Sequence, residues 1–209
     1  MHHIFRPTEW KQYYDIDVDA PPFDDAWLSE PCPFEGDKTL GDTHYIFFGP
    51  QMLDEQPLTI MRWHELSQAP GHPKIFESEH GWWNELSCAT EATCNGAWYA
   101  IYAGLVSGSD LQIPYIEGVV DARFMPEGYR VPTGVELVTA HLTHFNAFGA
   151  PMLTNKWAWS SDNAGMEHHM IVGHYQRDER RGPNMLRINL NWKREERGST
   201  GFQPIRKLS

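Results

Sequence analysis

Val135-Glu136-Leu137-Val138-Thr139-Ala140-His141-Leu142-Thr143-His144-Phe145 is an apolar run whose reading as a strand decides the fold. Similar but shorter runs recur along the chain between turn residues, the spacing of an all-β sandwich or barrel. Residues 135–145 are therefore expected as one strand among others at 43–48, 58–63, 97–104, 118–124, 156–160, 166–175 and 185–192. The last has the cleanest alternation: Leu186, Ile188, Leu190 and Trp192 interleave with Arg187, Asn189, Asn191 and Lys193, so a pleated strand buries the first set. Pro126-Glu127-Gly128, Pro132-Thr133-Gly134, Gly149-Ala150-Pro151 and Gly182-Pro183-Asn184 punctuate the runs as turns. One short helix is expected over 82–94, where Trp83, Leu86, Thr90 and Cys94 recur every three or four residues. The expected fold class is mainly β: a single β-sandwich or jelly-roll-like domain over 41–209, with one or two short helices at most.

Residues 1–40 read as an extended, Pro- and aromatic-rich arm. Pro7, Pro21, Pro22, Pro31 and Pro33 each remove a backbone donor and bias the preceding residue toward extended geometry. Between them lie Trp10, Tyr13, Tyr14, Phe23 and Trp27, rings that order an extended chain by lying on a surface. That surface is either the chain's own domain or a neighbouring subunit, and the second choice makes other protein subunits, copies of this chain included, the expected partners.

Charge narrows the partners further. The formal net charge of −11 repels polyanions, so general nucleic-acid binding is not expected. Residues 1–60 hold twelve acids against three bases, whereas 177–209 hold nine bases against four acids, which suggests contacts between opposite ends or between copies. Arg180-Arg181 in particular is a candidate docking point for the acidic arm. Cys32, Cys88 and Cys94 are too few and too irregularly spaced for a secreted disulfide framework and are expected as free thiols. No window has the roughly 18 consecutive apolar residues of a membrane span, and the first residues lack a signal-peptide core. Cytoplasmic synthesis is expected, with incorporation into a virion or another large assembly.

The histidines are the most chemically suggestive residues. In a strand, Met166, His168, Met170, Val172 and His174 share one face, and imidazole beside thioether suits copper. His141 and His144 are further candidate ligands, although strand alternation would place them on opposite sides. His168-His169-Met170 resembles the His-His-Met stretch of the ascorbate-dependent type II copper monooxygenases, over about ten residues. That resemblance implies a β-sandwich copper site with His168 and His169 as ligands and Met166 or Met170 beside them. In place of that family's second His-x-His pair, this chain has His141-Leu142-Thr143-His144.

Other signatures are incomplete. The sequence holds no Gly-x-Ser-x-Gly elbow and no glycine-rich phosphate loop. Glu77, Glu79 and Glu85 near Trp82 and Trp83, together with Trp157 and Trp159 on one face of a strand, allow a carbohydrate-binding or carbohydrate-cleaving domain. The leading expectation is a non-enzymatic structural subunit of a virion- or phage-like particle that needs no cofactor. A copper-dependent oxidoreductase and a carbohydrate module are the alternatives.

Overall fold

The structure, a computed structural model, describes residues 3–76, 85–110, 119–165, 168–178, 182–192 and 199–208. Residues 135–145 are not a strand. They form most of a helix, Gly134–Phe148, the longest of seven among the described residues. Its start is written in the sequence as a capping box. The Thr133 hydroxyl accepts from the Glu136 backbone N–H at 3.4 Å, and the Glu136 carboxylate accepts from the Thr133 N–H at 2.9 Å. Gly149, at φ 65°, closes the helix in the left-handed region. Every residue from Gly134 to Thr143 is buried, the polar Glu136, Thr139, His141 and Thr143 included, so this helix is enclosed on all sides and has no solvent-facing stripe over its first ten residues.

Two more expected strands are helices for related reasons. Over 58–63 the chain instead enters a helix, Ile60–Ser67, because the Thr59 hydroxyl caps it by accepting from the Arg62 N–H at 3.2 Å. Ile60, Trp63 and Ser67 then turn to the core at spacings of three and four. Over 118–124 a helix, Val119–Phe124, buries Val120 and Phe124 four apart. The helix expected over 82–94 survives as Ser87–Thr90, while Trp82 and Trp83 lie outside the described residues.

Residues 1–40 are not extended throughout. Pro7 occupies the first turn of α1 (Pro7–Tyr14), where a missing N–H costs nothing, so it starts a helix. Phe5, Trp10 and Tyr14 sink into the same core as Trp63, with ring centroids 5.1 Å apart for Phe5 and Trp10 and for Tyr14 and Trp63. Main-chain bonds of 2.8 Å between Phe5 and Ile46 and between Ile46 and His3 tie the leader to a strand. Two further short helices follow, α2 (Asp25–Leu28) and α3 (Leu40–Thr43). In chain order the remaining helices are α4 (Ile60–Ser67), α5 (Ser87–Thr90), α6 (Val119–Phe124) and α7 (Gly134–Phe148).

The strands fall into two main sheets and a small hairpin. One antiparallel sheet has the order β1 (His44–Gly49), β5 (Ala97–Tyr102), β10 (Ile205–Leu208). The hairpin joins β2 (Met52–Leu53) to β3 (Gln56–Pro57) through Asp54 and Glu55, both at positive φ. The larger, mixed sheet runs β4 (Lys74–Phe76), β8 (Gly182–Trp192), β7 (His168–Asp178), β6 (Trp157–Asn163), β9 (Thr200–Gly201). The alternation read at 185–192 places Leu186, Ile188 and Leu190 toward the main core as expected.

The interior is sheet, helix, sheet. α7 touches β1 on one side and β6, β7 and β8 on the other. A single apolar cluster joins Tyr45, Phe47, Tyr99 and Ile101 to Leu137, Val138 and Leu142 of α7 and to Met170, Val172 and Leu186. Direct sheet-on-sheet packing, expected of a sandwich, is replaced by a buried helix between the layers. Among the described residues helix and strand contribute nearly equally, so the expected mainly-β class is met only loosely.

Candidate functional site

The start of α7 opens on the surface between β6, α5 and α6. Two hollows meet there at Ser161. One, of about 440 Å³, is lined by Thr93, Asn95, Asp121, Arg130, Thr133 and Glu136 among others. The second, of about 420 Å³, is lined by Cys88, Glu91, Asp162 and Asn163 together with neighbouring small residues. Each falls within the size range of small-molecule sites.

A break in β6 builds the shared wall. Pairing with β7 is regular from Trp157 to Trp159, then shifts register before Asn163. The irregularity sends the Ser161 N–H to the Pro132 carbonyl at 2.8 Å, joining the strand to the loop that precedes α7. Asp162 then reaches the helix start, where its Oδ2 accepts from the Gly134 N–H at 2.6 Å. Only glycine allows this approach: a Cβ at Gly134 would stand 2.9 Å from the Asp162 carboxylate and overlap the Met170 sulfur.

Glu136, 2% exposed, is fully engaged. The Arg130 guanidinium grips it as a fork, with Nη1 to Oε2 at 2.7 Å and Nη2 to Oε1 at 2.5 Å. Arg130 is thereby neutralised as an anchor for anions. Asp162 is different. Burial raises its pKa above the ordinary carboxylate value, the Gly134 N–H pulls it back, and the neighbouring Glu136 charge raises it again. Burial and the Asp162 charge push the Cys88 thiol up to about 11, so it stays protonated and unreactive at neutral pH. Cys94, buried deeper, rises to about 12. All three cysteines are free.

The arrangement supplies a carboxyl suited to holding or exchanging a proton, neighbouring hydroxyls at Ser161, Thr133 and Thr93, and the acids Glu91 and Asp121 on the rim. With Arg130 committed to Glu136, the groove favours neutral hydroxyl-bearing or cationic ligands over anions.

The residues singled out from the sequence lie elsewhere. His141 and His144, three apart on α7, sit on one side of a helix, not on opposite faces of a strand. His141 is fully buried against Gln203, with Nε2 3.0 Å from Oε1, while His144 lies 3.1 Å from the Ala150 carbonyl and against the Tyr45 and Phe148 rings. His168 and His169 are consecutive in a regular stretch of β7 and so face opposite ways. His169 turns to Trp159, and Met170 turns to the core beneath α7. Among the described residues no group of three or more His, Cys, Asp or Glu is placed to hold a metal ion.

Of the proposed contact residues, Trp10 and Tyr14 are core, and Tyr13, Phe23 and Trp27 are half-buried on the chain's own surface. Trp159 and Trp157 pack with Ile171, Phe124 and Phe202, not into an open sugar platform. Arg180, Arg181, Glu77, Glu79, Trp82 and Trp83 lie outside the described residues. Sequence reasoning missed Arg130, Glu136 and Asp162; the Thr133-x-x-Glu136 capping box was the available signal for the helix start that gathers them. Comparison with protein-family models, with curated proteins and with solved structures finds no match for this chain.

Proposed function

We propose that the chain is a small-molecule-binding domain whose site is the groove at the start of α7, with the Asp162 carboxyl hydrogen-bonding a neutral, hydroxyl-bearing ligand or pairing with the ammonium group of an amine. One observation carries this reading: a partly buried carboxyl with a raised pKa lines one of two hollows that share Ser161, held on a backbone N–H at a helix start. Such a group is costly to keep in a stable fold, and that cost supports a functional role over a packing role. Hydroxyls, amides and the acids Glu91 and Asp121 line much of the rest of the groove, and the only guanidinium among its lining residues is already paired.

Assembly through the leader, expected from the sequence, has less behind it. Phe5, Trp10 and Tyr14 are occupied in the chain's own core, and Met52 and Phe148 are the only large exposed apolar side chains among the described residues.

A panel of polyols, primary amines and small carboxylates, screened by thermal shift against wild-type and Asp162→Asn protein, tests the proposal. Stabilisation by members of the first two classes, lost in Asp162→Asn, is expected. Hits confined to carboxylates, or hits that survive the substitution unchanged, would overturn it.

A further inference from the structure

A second groove, of about 380 Å³, lies on the far side of α6 and has a different chemistry. Phe34 and Phe124 stand among its walls, Val106 and Met125 add apolar surface, and Ser107 and Arg123 are its polar groups. Both rings are held by neighbours. Phe34 lies 4.8 Å from the Tyr102 ring and meets Tyr129 edge-on at 5.1 Å, while Phe124 stacks on Phe202 at 5.6 Å. The slot is therefore preformed.

Arg123 gives the groove its sign. Its guanidinium sits 5.0 Å from the Phe124 ring centroid, and among the described residues no carboxylate pairs with it. Glu35, next in sequence to Phe34, is already balanced by Lys38 at 2.6 Å and accepts from the Tyr102 hydroxyl at 2.7 Å. On a chain of net charge −11, a guanidinium with no carboxylate partner among the described residues, set beside fixed aromatic walls, favours an anion locally. A planar ring gains from the walls, and a carboxylate gains from a donor fork that no acid among the described residues occupies. We propose that this groove binds a small aromatic carboxylate, its ring against Phe34 and Phe124 and its anion on Arg123, with the Ser107 hydroxyl as a second donor. The site stands independently of the α7 groove: Asp121 of α6 lines one and Arg123 the other.

NMR titration of isotope-labelled protein with benzoate, benzylamine and cyclohexanecarboxylate decides the matter. Benzoate is expected to shift the Phe34, Ser107 and Arg123 resonances at lower concentration than either analogue, and Arg123→Gln to weaken it at least roughly tenfold. Arg123→Lys, which keeps the charge but loses the fork, should fall in between. Equal binding of benzylamine and benzoate, unchanged binding in Arg123→Gln, or benzoate shifts located away from the groove would each overturn the assignment.

Discussion

At the scale of single residues, Asp162 and two buried histidines bear on stability in opposite directions as pH changes. The folded state raises the Asp162 pKa, so near neutrality the folded protein carries a charge it holds poorly. Asp162→Asn, which keeps an acceptor for the Gly134 N–H, should stabilise the fold at pH 7 by about 1 kcal/mol. That gain should shrink as pH falls through the raised pKa toward the ordinary value of 3.8, because protonated aspartate is then equally neutral. Urea denaturation of the two proteins at pH 7 and pH 4 measures both effects.

His44 and His141 are fully buried and their pKa values are lowered by burial to about 4. His44 sits 3.0 Å from the Thr43 hydroxyl and 3.0 Å from that of Tyr129. Above about pH 6.5 both folded and unfolded chains hold neutral imidazoles. Between there and about 4 the unfolded chain takes protons that the folded chain refuses, so stability falls as pH falls, by about 1 kcal/mol per pH unit for each histidine. His141→Gln should flatten the dependence between pH 6.5 and 5 by about that amount, read as denaturation midpoints. None of these environments was legible in the sequence. Asp162 acquires its role from Gly134, twenty-eight positions away, and a buried histidine looks like any other until its neighbours are known.

At the scale of elements, legibility followed alternation. β5, β6, β7 and β8 fall within or around runs whose alternating or continuous apolar pattern suits a strand. α7 was hidden by its own burial: Val135, Leu137, Val138, Ala140 and Leu142 lie inside together with the polar Glu136, Thr139, His141 and Thr143, so no exposed polar face marks the helix and the apolar run suits a strand as readily. Length and capping were the better guides, since fifteen residues exceed an ordinary strand and Thr133 with Glu136 marks a start. The helix also yields a sharp test. Intrinsic propensity alone favours Gly134→Ala by about 1 kcal/mol. The added methyl would strike the Met170 sulfur and the Asp162 carboxylate, so a net loss of roughly 1–3 kcal/mol is expected instead in urea denaturation. A stabilised Gly134→Ala protein would mean that β6 and α7 do not meet as closely as described.

For the whole molecule, the leader decides between a building block and a self-contained domain. Trp10 is fully buried against Phe5, Tyr14 and Trp63, so Trp10→Ala should cost about 3–5 kcal/mol of monomer stability without altering sedimentation of the folded fraction. A change in oligomer size at unchanged stability would return those rings to an interface. The count of aromatics and prolines in 1–40 was visible in the sequence, but Pro7 acts through its place in the first helical turn, which composition does not report.

The small sheet has one more consequence, for how the chain is made. Its middle strand, β5, pairs Ile101 with Tyr45 on one side and with Ile205 on the other. At about 5–20 residues per second of translation, the second partner leaves the ribosome roughly 5–20 s after the first pairing is possible. Through that interval a nascent chain presents an open edge flanked by Tyr99, Ala100 and Ile101, a template for pairing with other chains. Synthesis with a holding chaperone that covers this edge should therefore improve the soluble yield.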